Sequence, residues 1–536
     1  MFALLTPRIL RRQAALLMLL ACACPAGAAG KPPVILISID TLRADHLSAY
    51  GYARIRTPNI DSLGDKGTIY LRIDTQVPLT LPSHTVLMTS TYPFANHVEA
   101  NAESLPPDAV TLASVLRANG YRTGAFVGSI ILDRRYGLDK GFENYDSPFQ
   151  TAPGQLANPY STRVRRDAAL VTRAARQWIE ENRGEPVFAF LHFYDVHTPY
   201  TLPQVAGLTP SLAGYDAELE HVDQALGRFR DALAHDGVWD QALVVLVADH
   251  GESLGDHGET SHGYFIYEST MHVPLIIHWP VGTAPYPERV GEPGGLIDVA
   301  PTILDFLHIA APRSFAGASL LPGHTGRTIY GESVYAQETF GCAALHSLQA
   351  GPYKYIDAPR AELYDLARDP GERANLLAAH PAEARSLKSR LDELLARYAP
   401  APLQSAPQIP PGTRELLGSL GYTAGGRQAP RRQPADPKDK IAEQEAYESG
   451  LTLLYTGQYD KAIVALQGVV TQDARNLPAL CALGEAHLRS GNIARALALW
   501  QQALERDPNY HPAAESIAAA CRLAPSAPQC QGRKQP

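Results

Sequence analysis

The chain has 536 residues, enough for two domains or more. Lys and Arg total 47 against 55 Asp and Glu, a net charge of −8, which excludes a nucleic-acid binder that depends on a basic surface. Hydrophobic residues at 45% and charged residues at 19% also exclude global disorder, a collagen-like repeat and a cysteine-stapled miniprotein.

The first 29 residues read as a signal peptide. Arg8, Arg11 and Arg12 precede the apolar run Ala14–Ala23, and small residues follow through Ala29. The run is short for a membrane span, and no later stretch approaches about 18 uninterrupted apolar residues. A secreted or periplasmic protein with no transmembrane segment after signal removal is expected. Leu19-Leu-Ala-Cys22 faintly resembles a lipoprotein processing site. Cys22 and Cys24 lie in this leader, and Cys342, Cys481, Cys521 and Cys530 lack metal-site or redox-motif spacing.

From residue 30 to about 400, apolar runs alternate with helical patterns. The runs include Val34–Ile39, Gly124–Val127, Pro186–Leu191 and Leu243–Val247. Strands of this kind are buried on both faces, so the pattern predicts an α/β fold with a mainly parallel sheet sandwiched by helices. Residues 400–437 hold eight of the chain's 43 prolines and mark a linker over 401–437. Beyond it the sequence repeats every 34 residues: Gly457 with Gly491, Ala462 with Ala496, Leu466 with Trp500, Asp473 with Asp507. This resembles the tetratricopeptide family and predicts an all-α helical-repeat domain over 438–525, closed by a helix near Pro512–Arg522 and followed by a tail, 526–536. Two repeats are few for an independent solenoid, so docking onto the large domain or onto a protein or peptide partner is expected.

Two of the apolar runs end in carboxylates, Asp40 and Asp249, the latter within Asp249-His250-Gly251. Ligands gather at the carboxyl ends of parallel strands, so both aspartates are expected in one crevice. Nine of the 18 histidines fall between His192 and His278, a concentration that suits metal binding or proton transfer. Between the two strands, Thr80-Leu-Pro-Ser83-His84-Thr85 places hydroxyls at a helix start, where backbone N–H groups favour an anion. Asp40, Asp249, His250 and one hydroxyl would form a metal shell able to activate that hydroxyl. Composition alone does not choose among Thr80, Ser83 and Thr85.

The segment Ile37-Ser-Ile-Asp40-Thr-Leu-Arg43-Ala-Asp45-His46-Leu47, with Tyr50-Gly51, Thr57–Asp61, Thr80–Ser83, Tyr215-Asp216 through Asp223 and Ala248–Glu252, resembles the sulfatase family of the alkaline phosphatase superfamily. Leu363-Tyr-Asp365, Asp369-Pro370 and Asn375-Leu376 are similar to that family's C-terminal subdomain, placed at about 310–400 within a catalytic domain of 30–400. The resemblance implies a hydrolase of phosphate or sulfate esters. The family's nucleophile is usually Cys or Ser in C-x-P-S-R, oxidised to formylglycine. Here Thr80 occupies that place and His84 the arginine place. Oxidised threonine would be a ketone, so an unmodified threonine nucleophile is expected, as in phosphoester-processing branches of the superfamily.

The resemblance places one divalent ion on Asp40, Thr80, Asp249 and His250. An imidazole with few carboxylates favours Mn²⁺ or Zn²⁺ over Ca²⁺ or Mg²⁺. A second ion would draw on Asp195 and His197. His262 is expected as general acid to the leaving group. His84 would bind the transferred group or orient Thr80. His197 and Asn101 would contact substrate, and Arg43 would support the metal carboxylate. The leading reading is a metal-dependent hydrolase with phosphoesters preferred, its substrate a small-molecule, glycan or lipid ester. The alternatives are a true sulfuric ester hydrolase, a phosphotransferase, and an inactive sulfatase-like scaffold that binds partners through its repeats.

Overall fold

A computed structural model describes residues 30–101, 103–149, 164–202, 204, 210–323, 327–400, 433–525 and 530. The leader, most of the linker and nearly all of the tail lie outside the described residues, as do parts of 145–165 and 200–212, polar, proline-containing connectors that the sequence offers as the loops setting substrate choice. The strands are β1 (Val34–Ile39), β2 (Gly67–Asp74), β3 (Arg122–Phe126), β4 (Asn144–Asp146), β5 (Val187–Phe193), β6 (Leu243–Ala248), β7 (His272–His278), β8 (Arg289–Val290), β9 (Gly294–Gly295), β10 (Thr328–Ser333), β11 (Leu345–Ala350), β12 (Tyr353–Asp357) and β13 (Glu362–Asp365). Helices of eight residues or more are α1 (Thr80–Thr89), α2 (Ala168–Glu181), α3 (Leu212–His235), α4 (Val299–Phe306), α5 (Pro381–Arg397), α6 (Ile441–Tyr455), α7 (Tyr459–Gln472), α8 (Leu477–Arg489), α9 (Ile493–Arg506) and α10 (His511–Leu523).

The large sheet runs β4-β3-β5-β1-β6-β7-β2-β8, with β9 beside β2. β1, β3, β4, β5 and β6 pair in parallel, while β7 runs antiparallel to both β6 and β2. Central β1 is fully buried, as the continuous run Val-Ile-Leu-Ile-Ser-Ile requires. Its register sets the site. Ile39 lies opposite Phe193 on one side and Ala248 on the other, so Asp40, Tyr194 and Asp249 leave three neighbouring strands at one level.

A separate four-stranded antiparallel sheet, β10-β11-β12-β13, packs with α5 to form the second layer system. The repeat helices show the 34-residue register in their packing: Ala462, Leu466, Ala496 and Trp500 are all fully buried. Gly450 and Gly484 stand one repeat apart, and a Cβ at Gly484 would meet Trp500 Nε1 at 2.4 Å, so glycine permits the close helix approach. Cys521 and Cys530 form a disulfide that their spacing did not announce.

The repeats share a hydrophobic core with the large domain. Tyr264, Tyr335 and Phe340 pack together with Tyr447 and Leu451 of α6. Ala343 N–H donates to Ala435 O at 2.9 Å, and Tyr264 Oη donates to Pro437 O at 2.7 Å. The repeats thus dock onto the large domain, one of the two surfaces expected for so short an array.

Candidate active site

The three candidate hydroxyls of this segment differ in what each one touches. Ser83 Oγ donates to Asp249 O at 2.6 Å and Thr85 Oγ1 to Leu81 O at 2.9 Å, so both serve the backbone. Thr80 is the first residue of α1, is fully buried, and places Oγ1 3.3 Å from His250 Nε2.

Fixed hydrogen bonds determine the tautomers around it. His250 Nδ1 bonds the Gly251 carbonyl at 2.9 Å, which can only accept, so Nε2 presents a lone pair. That lone pair lies 3.4 Å from Asp249 Oδ2 and 4.0 Å from Asp40 Oδ1. Both of these carboxylate oxygens are buried and lack a hydrogen-bond partner. Their sister oxygens are held. Asp249 Oδ1 accepts from Thr41 N–H at 3.1 Å and His250 N–H at 2.8 Å. Asp40 Oδ2 accepts from His192 Nε2 at 3.2 Å. His192 Nδ1 faces the Gly128 N–H at 3.3 Å, a pure donor, which leaves the ring proton on Nε2. Thr41 takes a left-handed backbone, φ 57°, and this turn aims its N–H at Asp249.

Two unpaired carboxylate oxygens, one imidazole lone pair and one hydroxyl therefore converge in a fully buried space. Burial pushes Asp40 up to about 7, and burial with the Asp40 charge does the same to Asp249. Burial depresses His250 to about 4, keeping it neutral. Two adjacent buried carboxylates without a cation are costly, and the donor set suits a divalent ion. Asp40, Asp249 and His250 form one of three side-chain groups among the described residues with metal-compatible spacing.

His84 borders this space, its Nδ1 3.6 Å from Asp249 Oδ2, and with His192 and Asp249 it forms another of the three metal-compatible groups. It is fully buried, its Nδ1 donates to Thr80 O at 2.7 Å, and its Nε2 accepts from Ser38 Oγ at 2.9 Å. Burial lowers it to about 3, so it carries no charge and fixes the backbone of Thr80. Asn101 Oδ1 accepts from Leu81 N–H at 2.8 Å, securing the start of α1, while its Nδ2 is a buried donor without a partner.

His262 closes the other side. Its ring centroid lies 4.4 Å from that of His250 and 5.1 Å from that of His197, and its Nδ1 is 3.1 Å from Glu252 Oε1. Burial raises Glu252 to about 8 and lowers His262 to about 4, so the pair holds a single proton near neutrality. His197 stacks on Tyr194 at 4.5 Å, and burial and His262 hold it well below its usual range. Arg43 donates to Glu252 O at 3.0 Å and pairs with Asp45 and Asp256, so it pins the segment between His250 and His262 rather than touching Asp40. His257 stacks on Tyr267 at 3.7 Å and His272 Nε2 donates to Leu71 O at 3.0 Å, both outside the cluster.

The repeats reach the same loop. Glu445 of α6 accepts from Thr260 N–H at 2.9 Å and from the Thr260 hydroxyl, two residues before His262. Ser253 N–H donates to Ser261 O at 2.8 Å, and Glu259 accepts from Tyr264 N–H at 2.8 Å, so the loop is tied at both ends.

Sequence reasoning missed His192, Glu252, Glu445 and Arg165. Arg165 is buried and lies 5.4 Å over the Tyr194 ring, where its charge acts on Asp40. A polar residue inside the apolar run Val187–Phe193 was the one available signal for His192. Asp195, paired with His197 in the two-ion expectation, turns away from it toward Asp167 and His221.

Comparison with known proteins accords with this geometry. The sulfatase family matches residues 32–309, more than half of the chain, and the N-sulphoglucosamine sulphohydrolase C-terminal family matches 255–399. A tetratricopeptide repeat family matches 453–521. Mouse steryl-sulfatase is 26% identical, over 72% of this chain and 85% of its own length. The N-acetylgalactosamine-6-O-sulfatase of Bacteroides thetaiotaomicron is 23% identical, over 68% of this chain and 94% of its own. The phosphonate monoester hydrolase of Agrobacterium radiobacter shares the fold with a TM-score of 0.59 at 21% identity, covering 69% of this chain and 96% of that one. The chain belongs to the sulfatase family and is an ester hydrolase.

Proposed function

We propose that this sulfatase-family protein is an exported, metal-dependent phosphoester hydrolase whose nucleophile is unmodified Thr80. The observation that carries the reading is the convergence of Thr80 Oγ1, His250 Nε2, Asp40 Oδ1 and Asp249 Oδ2, the two oxygens being buried and unpaired. Asp40, Thr80, Asp249 and His250 would hold one divalent ion, Mn²⁺ or Zn²⁺ by donor type. Such an ion, when bound, lowers the pKa of a hydroxyl and offsets charge on the transferred group.

The chain's own groups do the rest. The His250 Nε2 lone pair, 3.3 Å from Thr80 Oγ1, and the Asp40 carboxylate, which interacts with the same hydroxyl, are the bases beside its proton. Thr80 Oγ1 attacks phosphorus in line, and the bond to the leaving oxygen breaks. His84 fixes the Thr80 carbonyl, and the free Asn101 Nδ2 donates to a nonbridging oxygen. Arg165 supplies positive charge in place of the family arginine, with His197 beside it. His262 gives its Nε2 proton to the departing alkoxide, while Glu252 at Nδ1 replaces that proton. Water then releases phosphate from Thr80, with His262 acting as base. An acceptor alcohol in place of water would make the same site a phosphotransferase.

Phosphoesters are preferred because threonine cannot yield the formylglycine aldehyde. A sulfuric ester hydrolase is the second reading, favoured by the names of the relatives. The Cys521–Cys530 disulfide supports export to an oxidising compartment. No helix among the described residues is long and apolar enough to cross a membrane. The repeats are read as the place for a protein or peptide partner. Matched aryl phosphate monoester, diester and sulfate substrates, assayed with Mn²⁺ and Zn²⁺, test the proposal: phosphate turnover should dominate, and dominant sulfate turnover would overturn it.

A further inference from the structure

We propose that Asp167, Asp195 and His221 form a second divalent-cation site, separate from the one at Thr80. The three come from different elements: Asp167 immediately precedes α2, Asp195 follows β5, and His221 lies on α3. One ligand atom from each lies within 4.8 Å of the others. Their ordinary duties leave one atom over. Asp167 Oδ1 caps α2 through Ala169 N–H at 2.7 Å, and its Oδ2 meets His221 Nε2 at 2.9 Å. Asp195 Oδ1 accepts from Ala168 N–H at 3.1 Å. Asp195 Oδ2 has no partner although Asp195 is only 1% exposed.

An ion pair between His221 and Asp167 would satisfy those two residues and leave that buried oxygen uncompensated, at a cost. A cation shared by all three satisfies every atom and displaces the proton held between His221 and Asp167. The surrounding charge permits it. Arg165 acts on both aspartates, but Glu218 also faces His221, so three carboxylates oppose one guanidinium. Two carboxylate oxygens and an imidazole nitrogen suit Zn²⁺ or Mn²⁺ better than Ca²⁺. The site would clasp the start of α2 to the segment that leads from Asp195 to His197. A bound ion there orders one wall of the substrate pocket without entering the chemistry.

The test is metal stoichiometry by mass spectrometry on the full chain, stripped with chelator, titrated with Zn²⁺ or Mn²⁺ and desalted. The native chain should retain two equivalents. His221→Gln and Asp249→Asn should each retain one, and the double variant none. Asp167→Asn keeps the helix cap, since asparagine caps as well as aspartate, and should weaken one equivalent tenfold or more. Circular dichroism confirms that each variant is folded. Equal stoichiometry in the native and His221→Gln chains, or an Asp167→Asn chain with unaltered affinity, would overturn the second site. One equivalent lost with Asp249→Asn but not with His221→Gln would leave the catalytic ion standing alone.

Discussion

His250 Nε2 lies 3.3 Å from Thr80 Oγ1 because His250 Nδ1 is committed to the Gly251 carbonyl at 2.9 Å. The backbone thus chooses the tautomer that aims a lone pair at the space beside the hydroxyl. Thr80→Ala should lower kcat/KM by about 10³-fold or more, the scale seen when a nucleophile is deleted. Thr80→Ser keeps the oxygen and should retain measurable turnover. Steady-state kinetics on an aryl phosphate distinguish the two.

Asp40 and Asp249 each sit near 7 without a cation, raised mainly by burial. Their metal-free carboxyls are protonated below that value, so an incoming ion must displace protons there. Metal affinity should rise with pH between about 5 and 8 and level off above, where both are ionised. The folded pKa values exceed those of the unfolded chain, so the metal-free protein should lose stability as pH rises toward 8. Added ion should restore it. Calorimetric titration in buffers of different ionisation enthalpy, with thermal melts at pH 6 and 8, checks both signs.

His262 is 3.1 Å from Glu252 and stands beside His250. If it protonates the leaving oxygen, its loss matters most when the leaving group is a poor one. His262→Asn should slow alkyl phosphate hydrolysis by about 10²–10⁴-fold. An activated nitrophenyl phosphate should suffer far less. A uniform loss on both substrates would assign His262 to substrate binding.

Glu445 reaches the catalytic loop from the repeats, through Thr260. Glu445→Ala removes hydrogen bonds that hold the His262 segment and should reduce kcat by about tenfold, the equivalent of one or two such bonds. Metal content and secondary structure should not change. An unaltered kcat would confine the repeats to a role outside catalysis.

Part of this site is legible in the sequence. Val34–Ile39 and Leu243–Ala248 are apolar runs that end in Asp40 and Asp249, and parallel pairing in register delivers both to one crevice. The choice of Thr80 over Ser83 and Thr85 is not legible by composition, because it depends on which face of α1 meets Asp249. His192 stays hidden because its role comes from standing opposite Ser38 in the register and from a bond with Gly128, far away in the chain. The direction of β7 is equally hidden, since Val273–Ile277 reads as an apolar strand either way. Asp195 and His197 are two residues apart, which suggests a shared ion, yet the turn after β5 sends them to different neighbours.

The most direct measurement of the central claim is a mass spectrum of the Thr80 peptide after acid quench during turnover of an aryl phosphate. The account predicts one phosphoryl group on Thr80, absent from Thr80→Ala and formed at a rate consistent with kcat. Sustained turnover with Thr80 unmodified, or with activity kept in Thr80→Ala, would contradict it.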